Sequence, residues 1–336
     1  MKVYCPPYYQ TFRCIAGDCP DSCCHEWQVA VDEASAARYC ALEGALGDAL
    51  RSALYDEEGC TLMRNQNGRC PMWRDDGLCR IQAELGEGAL CDVCRDFPRL
   101  RQDYGDFVEL SLEMSCPEAA RIMLGQDFPG LTAETVPGGD EPDYDGEIME
   151  ILKRSRSQAF AILGLTAYSV PQRLAMLLLY GYEVQGQIDG GESFSFDPDS
   201  ALQDAEQFAG KGNFEDIQDF LLELEILTER WREKLTGSPT PCAWTEEFAR
   251  LAAYGVYRYW YQTVSDWDLA ARVKLVLLHC ITARYLAGSY PISVIQLFSK
   301  EIENDADNIG AILDAAYTHP ALTDRNLLGL MLQKDA

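Results

Sequence analysis

The chain has 336 residues, with 28 Lys and Arg against 54 Asp and Glu, a formal net charge of −26 and 47% hydrophobic content. That acidity argues against nucleic acid as a partner, because phosphate binding rests on Lys and Arg, and the hydrophobic share is that of a soluble globular protein large enough for one or two domains. The longest apolar stretches, near Leu174 to Tyr182 and Val273 to Ile281, fall far short of the ~18 residues of a membrane helix, so no membrane partner is expected.

Met1 to Gln10 reads M-K-V-Y-C-P-P-Y-Y-Q, with two prolines where a secretory signal would be apolar. This predicts a reducing, cytoplasmic setting. Phe12 to Trp27 reads F-R-C-I-A-G-D-C-P-D-S-C-C-H-E-W, placing Cys14, Cys19, Cys23 and Cys24 among the turn-formers Gly17, Asp18, Pro20, Asp21 and Ser22. W-Q-V-A-V-D then alternates like a short strand, and Asp32 reads as the N-cap of a helix running to about Leu50. Asn67 and Gly68 turn the chain into G-R-C-P-M-W with Cys70, and D-D-G-L-C-R-I repeats the arrangement at Cys79. Cys91 and Cys94 lie in C-D-V-C-R-D-F-P-R, where Pro98 ends any helix they begin. Asp106 to Met114 alternates apolar and acidic residues and predicts a strand with one wet face. A helix follows, with Cys116 near its cap, Pro117 in its first turn and Gly125 at its stop.

Residues 131–146 are acidic, rich in Pro and Gly and aperiodic, which predicts a linker between a cysteine-rich domain, 1–130, and a helical domain, 147–336. Helices are expected over Glu147–Ser169, Pro171–Gln187, Ser200–Leu235, Thr245–Ala287 and Pro291–Ile302, with two short ones up to Gln333. The expected fold class is mainly α: a loop-rich metal-binding domain with short strands, then an all-helical domain. Tyr254, Tyr257, Tyr259, Trp260 and Tyr261 crowd one helix. They read first as core, and otherwise as an aromatic wall for a cationic group. His279 with Cys280 reads as a core pair, and His319 as a helix entry.

Twelve of the 14 cysteines precede residue 117. In a reducing compartment such clustering points to metal or redox work rather than to structural disulfides. Cys14, Cys19, Cys23, Cys24, Cys70, Cys79, Cys91, Cys94 and Cys116 are the candidate ligands, with the close pairs Cys19/Cys23 and Cys91/Cys94 expected to matter most. Zinc and an iron–sulfur cluster both take thiolates, and spacing does not choose between them. Cys5, Cys40 and Cys60 lack partners at ligand spacing and are expected as small buried hydrophobes. The carboxylates near the cysteines, Glu109, Glu113 and Glu118, are expected at the surface, and arginines such as Arg69, Arg95 and Arg101 in ordinary surface ion pairs.

The order F-R-C-I-A-G-D-C-P-D-S-C-C-H-E-W-Q-V-A-V-D, G-R-C-P-M-W, G-L-C-R-I, L-C-D-V-C-R-D-F-P-R and S-C-P-E-A-A-R resembles the bacterial flagellin lysine-N-methylase family over roughly residues 1–125. More distantly it is similar to cysteine-cluster proteins that chelate zinc or iron. The resemblance implies methylation of flagellin lysines, S-adenosylmethionine as donor and an iron–sulfur cluster held by the cysteines. Cys19 and Cys23 have the first spacing of a C-x3-C-x2-C radical signature, but Cys24 follows Cys23 directly. That departure counts against a radical route, and direct displacement by a neutral lysine amine needs no radical; both mechanisms stay open, with no catalytic base or donor site assignable. Two readings stand beside it: a zinc- or iron-binding interaction protein without catalysis, and a redox or metal-delivery protein.

Overall fold

Residues 1–25, 27–127 and 130–333 are described by the structure, a computed structural model. In chain order the elements are β1 (Lys2–Cys5), α1 (Pro7–Thr11), β2 (Val29–Ala30), α2 (Glu33–Ala41), α3 (Gly44–Ala53), β3 (Leu54–Glu57), β4 (Cys60–Met63), α4 (Arg80–Leu85), α5 (Asp92–Asp96), β5 (Arg99–Asp103), β6 (Phe107–Leu112) and α6 (Pro117–Leu124). Then come β7 (Thr132–Thr135), α7 (Gly146–Leu163), α8 (Val170–Ile188), α9 (Pro198–Phe208), α10 (Phe214–Glu223), α11 (Glu229–Thr236), α12 (Glu246–Tyr259), α13 (Leu269–Leu286), α14 (Pro291–Phe298), α15 (Ala306–Ala315) and α16 (Asp324–Leu332). The fold is mainly α, as expected. No helix among the described residues is long and apolar enough to cross a membrane.

Two cores organise these elements. The small one joins Val29, Val31, Tyr39, Leu50, Met63 and Met72 of the sheet β2-β4-β3 and its flanking helices, with Cys91 buried among them and Cys70, Cys79 and Cys94 packed against it. The large one is built on α13, buried almost throughout, against which α8, α12, α14, α15 and α16 pack. The sheet β5-β6-β1-β7 lies on this larger core: β1 runs parallel to β6 with Val3 opposite Val108, and antiparallel to β7. Thr132–Thr135, within the segment expected as linker, is thus a paired strand.

Several local expectations change in three dimensions. Asp32 does cap α2, accepting from Ser35 N–H at 2.8 Å, but the helix ends at Ala41 and α3 starts afresh at Gly44, whose φ of +82° favours glycine. β6 has no wet face, because both of its sides are covered and five of its six residues are buried. The expected helix over Ser200–Leu235 is three, each N-capped by a polar side chain: Asp197, Asn213 and Thr228.

Candidate functional site: thiols beside an acidic cleft

The nine candidate cysteines gather in two places. Asn67 and Gly68 both take positive φ, and Gln66 and Arg69 exchange backbone hydrogen bonds of 2.9 and 3.0 Å, a two-residue hairpin turn that Asn-Gly is suited to make. The segment leaving that turn sets Cys70 N–H on Cys24 C=O at 2.9 Å. A second turn, Asp76-Gly77, lies backbone to backbone on Gly17, where a Cβ on Gly77 would stand 3.0 Å from Gly17 Cα. α4 and α5 start at Cys79 and Cys91, so the thiols of Cys79, Cys91 and Cys94 reach the same region from helix ends.

Within this first group the thiols meet one another. A hydrogen bond with Cys23 pushes Cys24 up to about 12, with Cys70 pulling the other way, and contact with Cys24 together with burial pushes Cys70 up as well. Cys91 is drawn down to about 7, because Cys94 donates its S–H to the Cys91 sulfur, and Cys94 is raised in turn. Burial raises Cys79, which feels the charges of Cys70 and Cys91. Thiols delivered by four separate segments, in contact as Cys23–Cys24–Cys70 and as Cys91–Cys94, are the ligand type a soft metal or an iron–sulfur centre takes. Among the described residues, no three His, Cys, Asp or Glu side chains converge into a metal-holding group.

Cys14, Cys19 and Cys116 form the second gathering. The Cys19 thiol donates to Asp21 C=O at 3.1 Å, and Cys116, capping α6 on the large core, is pushed up to about 11 by burial with Cys19 and Cys14 as neighbours. The close sequence pair Cys19/Cys23 is therefore divided between the two groups.

A cleft of about 710 Å³ opens beside Cys23, between the thiol loops and the C-terminal helices. Four carboxylates line it, Asp21, Glu225, Glu301 and Asp305, against one lysine, Lys300. Its helical wall follows α14, where Ser299–Glu303 widens into a π-helical turn, a conformation that recurs at functional sites. The turn is held from inside: Glu303 accepts from Tyr259 Oη at 2.8 Å, Tyr254 Oη at 3.0 Å and Ser299 Oγ, with Arg258 3.6 Å away. Glu301 accepts from Thr228 Oγ1 at 2.5 Å and Leu227 N–H at 2.8 Å, and burial raises its pKa. A second cavity of about 530 Å³ adjoins the first and shares Trp27, Phe97 and Asn304 with it. The rings of Trp27 and Phe97 stand 5.7 Å apart, tilted by 51°, and the indole N–H of Trp27 donates to Cys23 C=O.

A lysine-N-methylase of Salmonella choleraesuis (strain SC-B67) is 31% identical to this chain over 144 residues, 39% of this chain and 35% of the relative; a lysine-N-methylase of Salmonella typhimurium is 29% identical over 143 residues with the same coverage. The flagellar biosynthetic protein FliU of Salmonella muenchen is 30% identical over 138 residues, which make up 38% of this chain and 79% of FliU. The chain belongs to the FliB-like lysine-N-methylase family. Its match spans about a third of the length of the lysine-N-methylases, 35% of each. No family model and no solved structure matches the chain.

For this member of the lysine-N-methylase family, some residues stand where the sequence puts them. His279 is buried and stacked on Phe298 at 4.2 Å, and His319 caps the turn at Pro320 through Nδ1. The arginines Arg69, Arg95 and Arg101 pair with nearby surface carboxylates. Tyr254, Tyr257, Tyr259, Trp260 and Tyr261 are core, as first read: Tyr257 is fully buried and donates to Leu110 C=O at 3.1 Å. Other expectations fail. Cys40 and Cys60 are exposed, lying on the outer faces of α2 and β4, and only Cys5 is buried as expected. Glu109 is no surface group; it forms a buried ion pair with Arg156 at 2.5 and 2.7 Å. Glu118 is 9% exposed and paired with Arg121, and burial raises Glu113. No local sequence signal marks Trp27, Phe97, Gln296 or Glu301 as site residues. Trp27 lies inside the cysteine motif, but Gln296 and Glu301 gain their place only when the last third of the chain folds back on the first.

Proposed function

We propose that this chain is a protein-lysine N-methyltransferase acting on flagellin in the cytoplasm, with S-adenosylmethionine as donor and an iron–sulfur cluster on its N-terminal cysteines. The observation that carries the reading is the carboxylate-lined cleft beside Cys23. Support for the reaction and for a flagellar substrate comes from the similarity to a lysine-N-methylase and to a flagellar biosynthetic protein.

A lysine side chain is cationic below ~10.4 and must lose a proton before its nitrogen lone pair can attack. Glu225, Glu301 and Asp305 draw the ammonium into the cleft. Glu301, pinned by Thr228 and Leu227 and raised by burial, is a better proton acceptor than a surface carboxylate. The donor supplies an electrophilic methyl on a sulfonium; the N–C bond forms as the C–S bond breaks, its electron pair stays on sulfur, and the amine proton passes to a carboxylate or water. The half-exposed rings of Trp27 and Phe97 favour cations beside them. A bound iron–sulfur cluster supplies a redox-active centre and folding energy. Cys24, Cys70, Cys91 and Cys94 would hold it, with Cys23 and Cys79 beside them.

Anaerobically purified protein is to be incubated with flagellin and methyl-labelled donor. Label on lysine Nε without formation of 5′-deoxyadenosine is the expected result. Absence of transfer with iron and donor intact would favour a metal-bearing protein that binds its partner without modifying it.

A further inference from the structure

We propose that Trp27 and Phe97 form a reader for methylated lysine, so that the protein binds the methylated side chain more tightly than the unmodified one. The inference takes its ligand from the lysine-directed reading above. Its own support is the meeting of the two rings. Trp27 packs on the small core and Phe97 on the large one, and the two rings meet at a tilt of 51° where the cores abut. Neither ring is fully covered, and both line each of the two cavities. The bond from the Trp27 indole to Cys23 C=O fixes the orientation of the larger ring.

Carboxylates flank the pair on both sides. Asp21, Glu225, Glu301 and Asp305 lie towards one cavity. Asp92, Asp96 and Glu113 lie towards the other, where they outnumber Arg99 and where Arg258 is already engaged by Glu303. An aromatic pair within such a field selects a cation over a neutral group of equal shape. N-methylation keeps the charge, removes N–H groups that water would solvate and enlarges the apolar surface, so desolvating the head against the rings becomes less costly with each methyl.

The test uses the full-length protein and no donor. Binding of three peptides is measured by isothermal titration calorimetry: one with trimethyl-lysine, one with lysine, and one with the neutral carbon isostere of trimethyl-lysine. The trimethyl peptide is expected to bind about tenfold tighter than either of the others. Trp27→Phe keeps a ring and should retain most of that preference, whereas Trp27→Ala should abolish it. Phe97→Leu, which keeps apolar volume, should weaken it and provides the answer if Trp27→Ala does not fold. Equal affinity for the cation and its neutral isostere, or an unchanged preference in Phe97→Leu and Trp27→Ala, overturns the proposal. Because no methyl is transferred, a chain without transferase activity that still prefers the methylated peptide refutes the proposed reaction and leaves the reader standing.

Discussion

Asp21 Oδ2 accepts a hydrogen bond of 2.8 Å from Gln296 Nε2, across 275 residues of chain. Gln296 donates also to Ser115 C=O at 2.9 Å, and Lys300 Nζ stands 3.6 Å from Asp21 Oδ1. The turn between Cys19 and Cys23 is thereby tied to the helices that form the opposite wall of the cleft. Thiols and carboxylates are one construction.

Gln296→Leu deprives the buried Ser115 carbonyl and Asp21 of their donor, and a buried acceptor left unsatisfied costs about 1–3 kcal/mol. Chemical denaturation should record that loss, and proteolysis should accelerate within residues 14–27. A variant as stable and as resistant as the parent would show that the tie is not maintained.

The Glu109–Arg156 pair is closed off from water on both sides, and burying a charge without its partner is costly. Arg156→Met should lose about 3–5 kcal/mol in denaturant unfolding, and the double variant Glu109→Leu/Arg156→Met should recover part of it. If the double variant is no better than the single one, the cost lies in packing around the arginine instead.

Asp32 accepts from the backbone N–H of Asp92 at 2.9 Å and from that of Ser35, and these bonds lower its pKa to about 2, against roughly 3.9 for an unfolded Asp. Its contribution is thus complete above pH ~4 and disappears as the pH falls towards 2. The protection factor of the Asp92 amide, its exchange rate taken against the intrinsic rate at each pH, should fall over that interval in the parent. In Asp32→Asn it should be low already at neutral pH, with the acid-dependent step gone; an identical profile in both proteins would refute the link between α2 and α5.

Much of this fold is legible locally. The Asn67-Gly68 turn, the Asp32 cap and the helix entered at Pro117 depend on side chains within a few residues of one another, and all three form as read. Glu109 shows where that reading stops. Its alternation with Val108 and Leu110 predicts a wet face, but α7 covers that face and brings Arg156 to neutralise it. The cleft was hidden for the same reason: Asp21, Trp27 and Phe97 come from the first third of the chain, and Glu301 and Asp305 from the last.

Serine at Cys70 or Cys94 should remove most of the iron from anaerobically purified protein, since both thiols lie in the six-membered group, whereas serine at the exposed Cys60 or at Cys242 should leave it unchanged. Equal iron in Cys70→Ser and Cys60→Ser protein would place the cluster elsewhere.

The central claim, that methyl transfer takes place in the acidic cleft, is tested most directly by the steady-state kinetics of Glu225→Gln/Asp305→Asn towards flagellin. Both changes keep size and hydrogen bonding, and an Asn at 305 still caps α15. Removing two charges at close range predicts a fall of about tenfold in kcat/KM, carried mainly by KM and reduced at high salt. Unchanged kcat/KM at low ionic strength would contradict the account and move the reaction away from this cleft.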